Sequence, residues 1–171
     1  MSPSDGITIR QAGPEDAATV HAMIAALAGM LPGGETMRTT PADLAAQIGR
    51  PDPLLHAVLG ERGGSAIGVC VWLSYFSTWK GPGLYIQDLY VAESERMHGL
   101  GNRLLGAAMC IARRDGARFV RLSVDAANAR AAPFYRRLGF VEDHADRMFT
   151  LSGEAFDALA ADIQAQSKSS E

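Results

Sequence analysis

A chain of 171 residues fits one ordinary domain, and with 47% hydrophobic against 20% charged residues it holds enough apolar material for a packed core. Its net charge of -3 offers no broad basic field, which counts against nucleic acid as a partner. No apolar run reaches about 18 residues and no signal-peptide pattern opens the chain, so export and membrane insertion are not expected and the cytoplasm is the expected location.

Ile7 and Ile9 alternate with Thr8 and Arg10 ahead of Gly13-Pro14, which predicts a short first strand. Pro14 suits the first turn of a helix whose apolar positions Val20, Met23, Ile24, Leu27 and Leu31 share one face. Thr40, Pro41 and Asp43 supply a cap, a first-turn proline and an early acid for a second helix through Ile48, ended by Gly49 and Pro51. Residues 54–59 and 66–76 read as strands joined by the turn-prone Arg62-Gly63-Gly64-Ser65, hence an antiparallel hairpin. A third dense strand, Leu84 to Val91, reads as covered on both faces and central in the sheet.

Leu100, Leu104, Ala107 and Ile111 step along one side of the next helix, which ends near Asp115-Gly116 and carries Arg103 and Arg114 on its other side. A strand over 119–125 follows, then a short helix capped by Asn128 and running through Phe134 and Tyr135 to Gly139. A closing strand over 148–151 and a final helix from Ser152 lead to residues 164–171, whose composition favours a frayed tail. The two cysteines, Cys70 and Cys110, lie in apolar runs without CxxC pairing and read as buried reduced thiols, with no metal site. This order predicts an α/β fold, a mixed sheet with helices on both faces and a parallel crossover between the strands ending near Val91 and Asp125.

Arg96-Met97-His98-Gly99-Leu100-Gly101 lies between a strand and a helix, where exposed amides and the helix dipole favour an anion. Gly99 and Gly101 allow close backbone approach, and Arg96 can add a charge-assisted contact. By itself such a loop is equally a tight turn opening a helix. A dinucleotide fingerprint fails, since Gly99-x-Gly101 is followed by Leu104 and no second half-domain of strands appears. A P-loop fails because no Gly-Lys-Ser or Gly-Lys-Thr occurs.

Arg96-x-x-Gly99-x-Gly101 resembles the pyrophosphate-binding motif of the GNAT superfamily of acyl-CoA N-acyltransferases. Downstream, the run from Asn128 to Phe140, with Ala131, Phe134, Tyr135, Gly139 and Phe140, resembles that superfamily's Asn-x-x-Ala-x-x-Phe-Tyr-x-x-x-Gly-Phe segment. The resemblance implies one domain over 1–163 with a mostly antiparallel central sheet, and acetyl-CoA as co-substrate without a metal. It implies cofactor contacts from Leu89, Tyr90, Val91, Arg96, Met97, His98, Gly99, Leu100, Gly101, Asn102, Asn128 and Ala131. It also implies that Tyr135 points at the sulfur, where a phenol of pKa about 10 can protonate a departing thiolate. Tyr135 also fits a plain core role and Asn128 a plain helix cap.

Leu84 to Val91, Tyr75-Phe76-Ser77-Thr78-Trp79 and Arg147-Met148-Phe149 resemble the diamine acetyltransferase subgroup, the spermidine/spermine and thialysine enzymes. That likeness implies a homodimer and a small cationic amine substrate met by Gln87, Asp88 and Asp125. Gln87 stands where the subgroup typically has glutamate, and residues 29–37 offer only Glu35 as an acid. Since Gln87 cannot take a proton, deprotonation of the amine is expected through water, towards Asp88 or Asp125. A peptide or protein amino group as acceptor, and a non-catalytic acyl-CoA-binding dimer, are the alternative readings.

Overall fold

The computed structural model describes residues 6–30, 37–144 and 149–168. It divides into two compact units, Met1–Ala129 and Arg130–Glu171. Leu31, Glu35, Arg147 and Met148 lie outside the described residues.

The first unit is built on a five-stranded sheet in the order β1-β2-β3-β4-β5, comprising Ile7–Gln11, Leu55–Arg62, Ser65–Ser77, Gly81–Val91 and Val120–Leu122. Neighbouring strands are antiparallel except β4 and β5, which run parallel. The β2–β3 hairpin turns on Gly63 and Gly64, with φ of +57° and +79°. Two successive positive φ values suit a two-residue turn whose twist matches its strands, and glycine adopts them without strain.

Helix α1, Ala17–Ala28, follows a 3-10 turn at Pro14–Asp16, and α2 spans Pro41–Ile48. Thr40 opens α2 through a capping box: its hydroxyl accepts from Asp43 N at 3.2 Å, and the Asp43 carboxylate accepts from Thr40 N at 2.8 Å. Such a cap contributes on the order of 1 kcal/mol. Both helices cover one face of the sheet, where Val20 and Leu44 pack with Ala57, Leu59, Val69 and Val71. Met23 and Ile24 border this cluster, as the spacing predicts.

Helix α3, Leu100–Arg114, takes the opposite face. Gly60 and Gly68 pair across β2 and β3, and a Cβ at either would come within 2.9 Å of a leucine methyl of α3. The missing side chains let the helix settle directly on the sheet. Its buried residues are Leu100, Leu104, Leu105, Ala108 and Ala112, so the inward stripe differs from the predicted one, and Ala107 and Ile111 lie at its margin. The physical reason is the close approach, which favours alanine at the centre of contact. That same rotation leaves Cys110 exposed, correcting its expected burial, while Cys70 is buried.

Strand β5 is shorter than the predicted 119–125 because the chain turns after it. Asp125 accepts from Ala127 N through its side chain at 2.7 Å and from Asn128 N through its carbonyl at 2.9 Å. This Asx turn takes the backbone out of the strand.

In the second unit, α4 spans Ala131–Arg137 and α5 spans Glu154–Lys168. The N-cap position of α4 is Arg130, in helical geometry and without a side-chain bond. Asn128 is therefore not the helix cap, since the cap residue sits two positions later. The end of α4 is a Schellman motif: Phe140 N donates to Tyr135 O at 3.1 Å and Gly139 N to Arg136 O at 3.0 Å, with Gly139 at φ +88°. The Phe140 ring closes the motif against the Tyr135 ring, 5.4 Å away edge to face. Residues 149–151 form no strand, which corrects the described part of the expected closing strand; an extended triplet stays strand only with a partner to pair with.

Candidate active site

Strand β4 leaves the sheet through a 3-10 turn at Glu93–Glu95, and the glycine loop then opens α3. Gly99 is the N-cap, at φ +82° and ψ 1°, and its carbonyl accepts the first helical bond, from Arg103 N at 3.1 Å. No side chain caps the helix and no acid lies in its first turn. The amides of Leu100, Gly101 and Asn102 therefore face outward without an intrahelical acceptor, at the positive end of a fifteen-residue helix. A Cβ built at Gly99 would meet nothing within 4 Å, so the outer side of the loop is open. An open, positive, uncapped helix start suits an anion such as a phosphate group.

Arg96 braces this loop. Its Nε donates to Val91 O at 3.0 Å and its Nη2 stands 3.1 Å from Met30 Sδ at the end of α1. The guanidinium thus pins the loop to the end of β4, a role its sequence position did not disclose. Glu95, adjacent to Arg96 in the chain, is held by Arg62 at 3.0 Å. Met97 takes the left-handed conformation at φ +66° with 95% of its surface exposed, and His98 is also exposed. A left-handed non-glycine residue costs about 1–2 kcal/mol.

Two features of β4 have no signature in the sequence. Its pairing with β5 covers only Leu84, Ile86 and the residue between them, against Val120 to Leu122. From Asp88 to Val91 the strand pairs with β3 on one side only, so among the described residues of the first unit no strand covers the other side of Leu89, Tyr90 and Val91, where Val91 O accepts from Arg96 Nε. Such an edge can hydrogen-bond an extended amide chain as another strand would. The second feature is a bulge. Val71 pairs with Asp88 but Trp72 pairs with Ile86, which leaves Gln87 as an extra, exposed residue of β4. Bulges interrupt a ladder and re-aim side chains, and they gather beside active sites.

Asp88 follows the bulge on the face of Val71. Burial pushes its carboxyl above the usual carboxylate range, and among the described residues no basic side chain pairs with it. Burial, with a smaller effect from Asp88, also pushes the Cys70 thiol up to about 12. A carboxylate with raised proton affinity is a better proton acceptor than an exposed one. Asp125, by contrast, is exposed and committed to its turn. Asn128 is half-buried and bonds Asp125 O through its backbone.

Tyr135 and Ala131 belong to the second unit. Ala131 is the first residue of α4, and Tyr135 is half-buried between Phe134 and Phe140, whose ring centres lie 5.0 and 5.4 Å from its own. Among the described residues no group of three or more His, Cys, Asp or Glu side chains could hold a metal ion, and no helix is long and apolar enough to cross a membrane.

The model of the acetyltransferase (GNAT) family matches residues 21–140. Thialysine N-epsilon-acetyltransferase of Bos taurus is 27% identical over 165 residues, covering 90% of this chain and 97% of the relative. Among solved structures, the chain is similar to aminoglycoside N-acetyltransferase AAC(6')-Iy in complex with CoA, with a TM-score of 0.69 at 18% identity over 90% of this chain and 99% of that one. An aminoglycoside acetyltransferase from an uncultured soil metagenomic sample, in complex with sisomicin, gives a TM-score of 0.72 at 16% identity over 88% and 100%. At these identities the structural likeness is one of fold.

Proposed function

The chain belongs to the acetyltransferase (GNAT) family, whose members are acetyl-CoA-dependent N-acetyltransferases, and from that premise we propose that its acceptor is the primary amine of a small molecule. That acceptor is a polyamine-like amine or an amino acid, and it attacks the thioester directly. Acetyl-CoA supplies an acyl group already activated as a thioester. The amides of Leu100, Gly101 and Asn102 hold the diphosphate, and the open edge of β4 at Leu89, Tyr90 and Val91 pairs with the pantetheine amides. The observation behind this reading is that uncovered edge, continuous with an uncapped helix start.

An amine of pKa about 10.4 is protonated at pH 7, and freeing it takes about 4.6 kcal/mol. Gln87 at the bulge cannot accept the proton. Asp88, with its raised proton affinity, receives it through water. Tyr135 gives its phenolic proton to the departing thiolate. We further propose that the protein works in the cytoplasm as a homodimer. Purified protein with acetyl-CoA and a panel of small amines is expected to release free thiol. Absence of release from every amine tried, with CoA bound, would remove the reading.

A further inference from the structure

The end of α1 and the start of the glycine loop meet where Met30 Sδ lies 3.1 Å from Arg96 Nη2. Met30 is held by its own backbone. Its amide donates to Leu27 O at 3.1 Å, and Gly29 N donates to Ala25 O at 3.0 Å, which fixes the methionine to the last turn of α1. Arg96 stands three residues before the N-cap Gly99, and its Nε donates to Val91 O at 3.0 Å. One guanidinium therefore ties α1, β4 and the start of the loop together. The group is planar and rigid, so a shift of Nη2 swings Nε with it.

The acceptor on the α1 side of this tie is a thioether, which accepts hydrogen bonds weakly and is open to oxidation. With 46% of its surface exposed, Met30 is within reach of a small oxidant. A sulfur lone pair attacks one oxygen of a hydroperoxide such as hydrogen peroxide. The S–O bond forms, the O–O bond breaks, and the departing hydroxide takes the proton of the transferred hydroxyl and leaves as water. Sulfur loses two electrons and the peroxide gains them. The product is a polar, chiral sulfoxide, which methionine sulfoxide reductases convert back.

No atom fits between Sδ and Nη2 at their present separation. A sulfoxide oxygen bonded to the guanidinium needs about 2.7–3.2 Å of its own, so the sulfur must withdraw or the guanidinium must move. The helix turn holds the Met30 backbone, which leaves the guanidinium to yield and Val91 O to lose its donor. Arg96 leads directly into the left-handed residues Met97, at φ +66°, and Gly99, at φ +82°. Displacing the side chain that braces them displaces the amides of Leu100, Gly101 and Asn102 that follow. Met97 and Met109 are exposed too, at 95% and 41%, and serve as internal comparisons.

We propose that Met30 is an oxidative modification site, and that its sulfoxide acts through Arg96 to weaken the hold of the glycine loop on the cofactor; this second part rests on the acetyl-CoA reading above. Wild type, Met30→Leu and Met97→Leu are compared before and after hydrogen peroxide, with the sulfoxides located by peptide mass spectrometry. In wild type and Met97→Leu, oxidation is expected to weaken CoA binding about tenfold by calorimetry, the worth of one charge-assisted hydrogen bond. Methionine sulfoxide reductases should restore it. In Met30→Leu the same treatment should leave CoA affinity where it stood. Equal weakening in Met30→Leu, unchanged or tighter binding in oxidised wild type, or a Met30 that stays reduced while Met97 and Met109 are oxidised, overturns the proposal. The amide NMR shifts of Gly99 and Arg103 need no ligand. They should change on oxidation in wild type and Met97→Leu but not in Met30→Leu, and unchanged shifts overturn the proposal whether or not CoA binds. Untreated wild type that ignores CoA while those shifts move on oxidation removes the acetyl-CoA reading and leaves Met30 as the modification site.

Discussion

Replacing Gly68 with alanine tests whether the close seat of α3 on the sheet positions the anion site. The added Cβ would lie 2.9 Å from Leu104 Cδ1, 3.3 Å from Leu100 Cδ2 and 3.0 Å from the carbonyl oxygen of Tyr90. Carbon atoms pack best at about 3.5–4.0 Å, so the helix must lift by several tenths of an ångström, or the leucines must leave their rotamers. Tyr90 O cannot yield easily, because β4 is paired to β3 there. Overpacking of this kind costs about 1–3 kcal/mol, offset by about 0.4–1 kcal/mol from the stiffer unfolded chain. A net loss of about 1–2 kcal/mol corresponds to a melting temperature lower by roughly 2–8 °C in a chain this size. Gly60→Ala meets only leucine side chains, at 2.9 Å and beyond, and should cost less. Because Leu100 is the first residue of α3, lifting it also misplaces the amides beside it, so CoA affinity should fall with stability in Gly68→Ala. Urea melts and calorimetric CoA titrations measure both. A Gly68→Ala protein as stable as wild type, or less affected than Gly60→Ala, would refute the packing argument; lost stability with unchanged CoA affinity would refute the link to the site.

Tyr135→Phe should lower kcat about 100-fold or more while CoA affinity changes little, because the lost proton donor acts only as the thiolate forms; steady-state kinetics beside CoA titration separate the two effects. Asp88→Asn should abolish most turnover yet raise stability at pH 7. The carboxyl pKa is higher in the folded state than its ordinary 3.8, so stability is lost as pH rises through that window, and asparagine carries no such penalty. Melts from pH 4 to 8 should show the advantage of Asp88→Asn shrinking towards acid; a variant less stable than wild type at pH 7 would contradict this sign. Met97 and Gly139 are both left-handed, so opposite changes are expected: Met97→Gly neutral to stabilising by up to about 1 kcal/mol, and Gly139→Ala destabilising by about 1 kcal/mol, read from denaturant midpoints.

Features set by neighbours in the chain were legible from the sequence. Thr40 and Asp43 cap α2 within a single turn, Gly63 and Gly64 make the hairpin, and the glycine loop lies between β4 and α3 where its residues indicate. The segment from Phe134 to Phe140 is legible for the same reason: glycine takes the left-handed position that ends α4, and Phe140 folds back on Tyr135. Each of these is a bond or contact within about six residues, so composition at fixed spacing is enough to specify it.

Features that depend on residues far apart in the chain were not. The bulge at Gln87 exists because β3 and β4 slip by one residue, and nothing local to Gln87 marks it. The open edge of β4 arises because Asp125 turns the chain soon after Leu122, and the inward stripe of α3 is chosen by two glycines some forty residues away on β2 and β3. Arg121 lies within the predicted strand over 119–125, and only pairing with Tyr85 and contact with Tyr75 bring it to the face of Asp88. The sequence therefore determined which local devices exist, and the tertiary structure decided which face they serve, because strand register couples residues that no short pattern can relate.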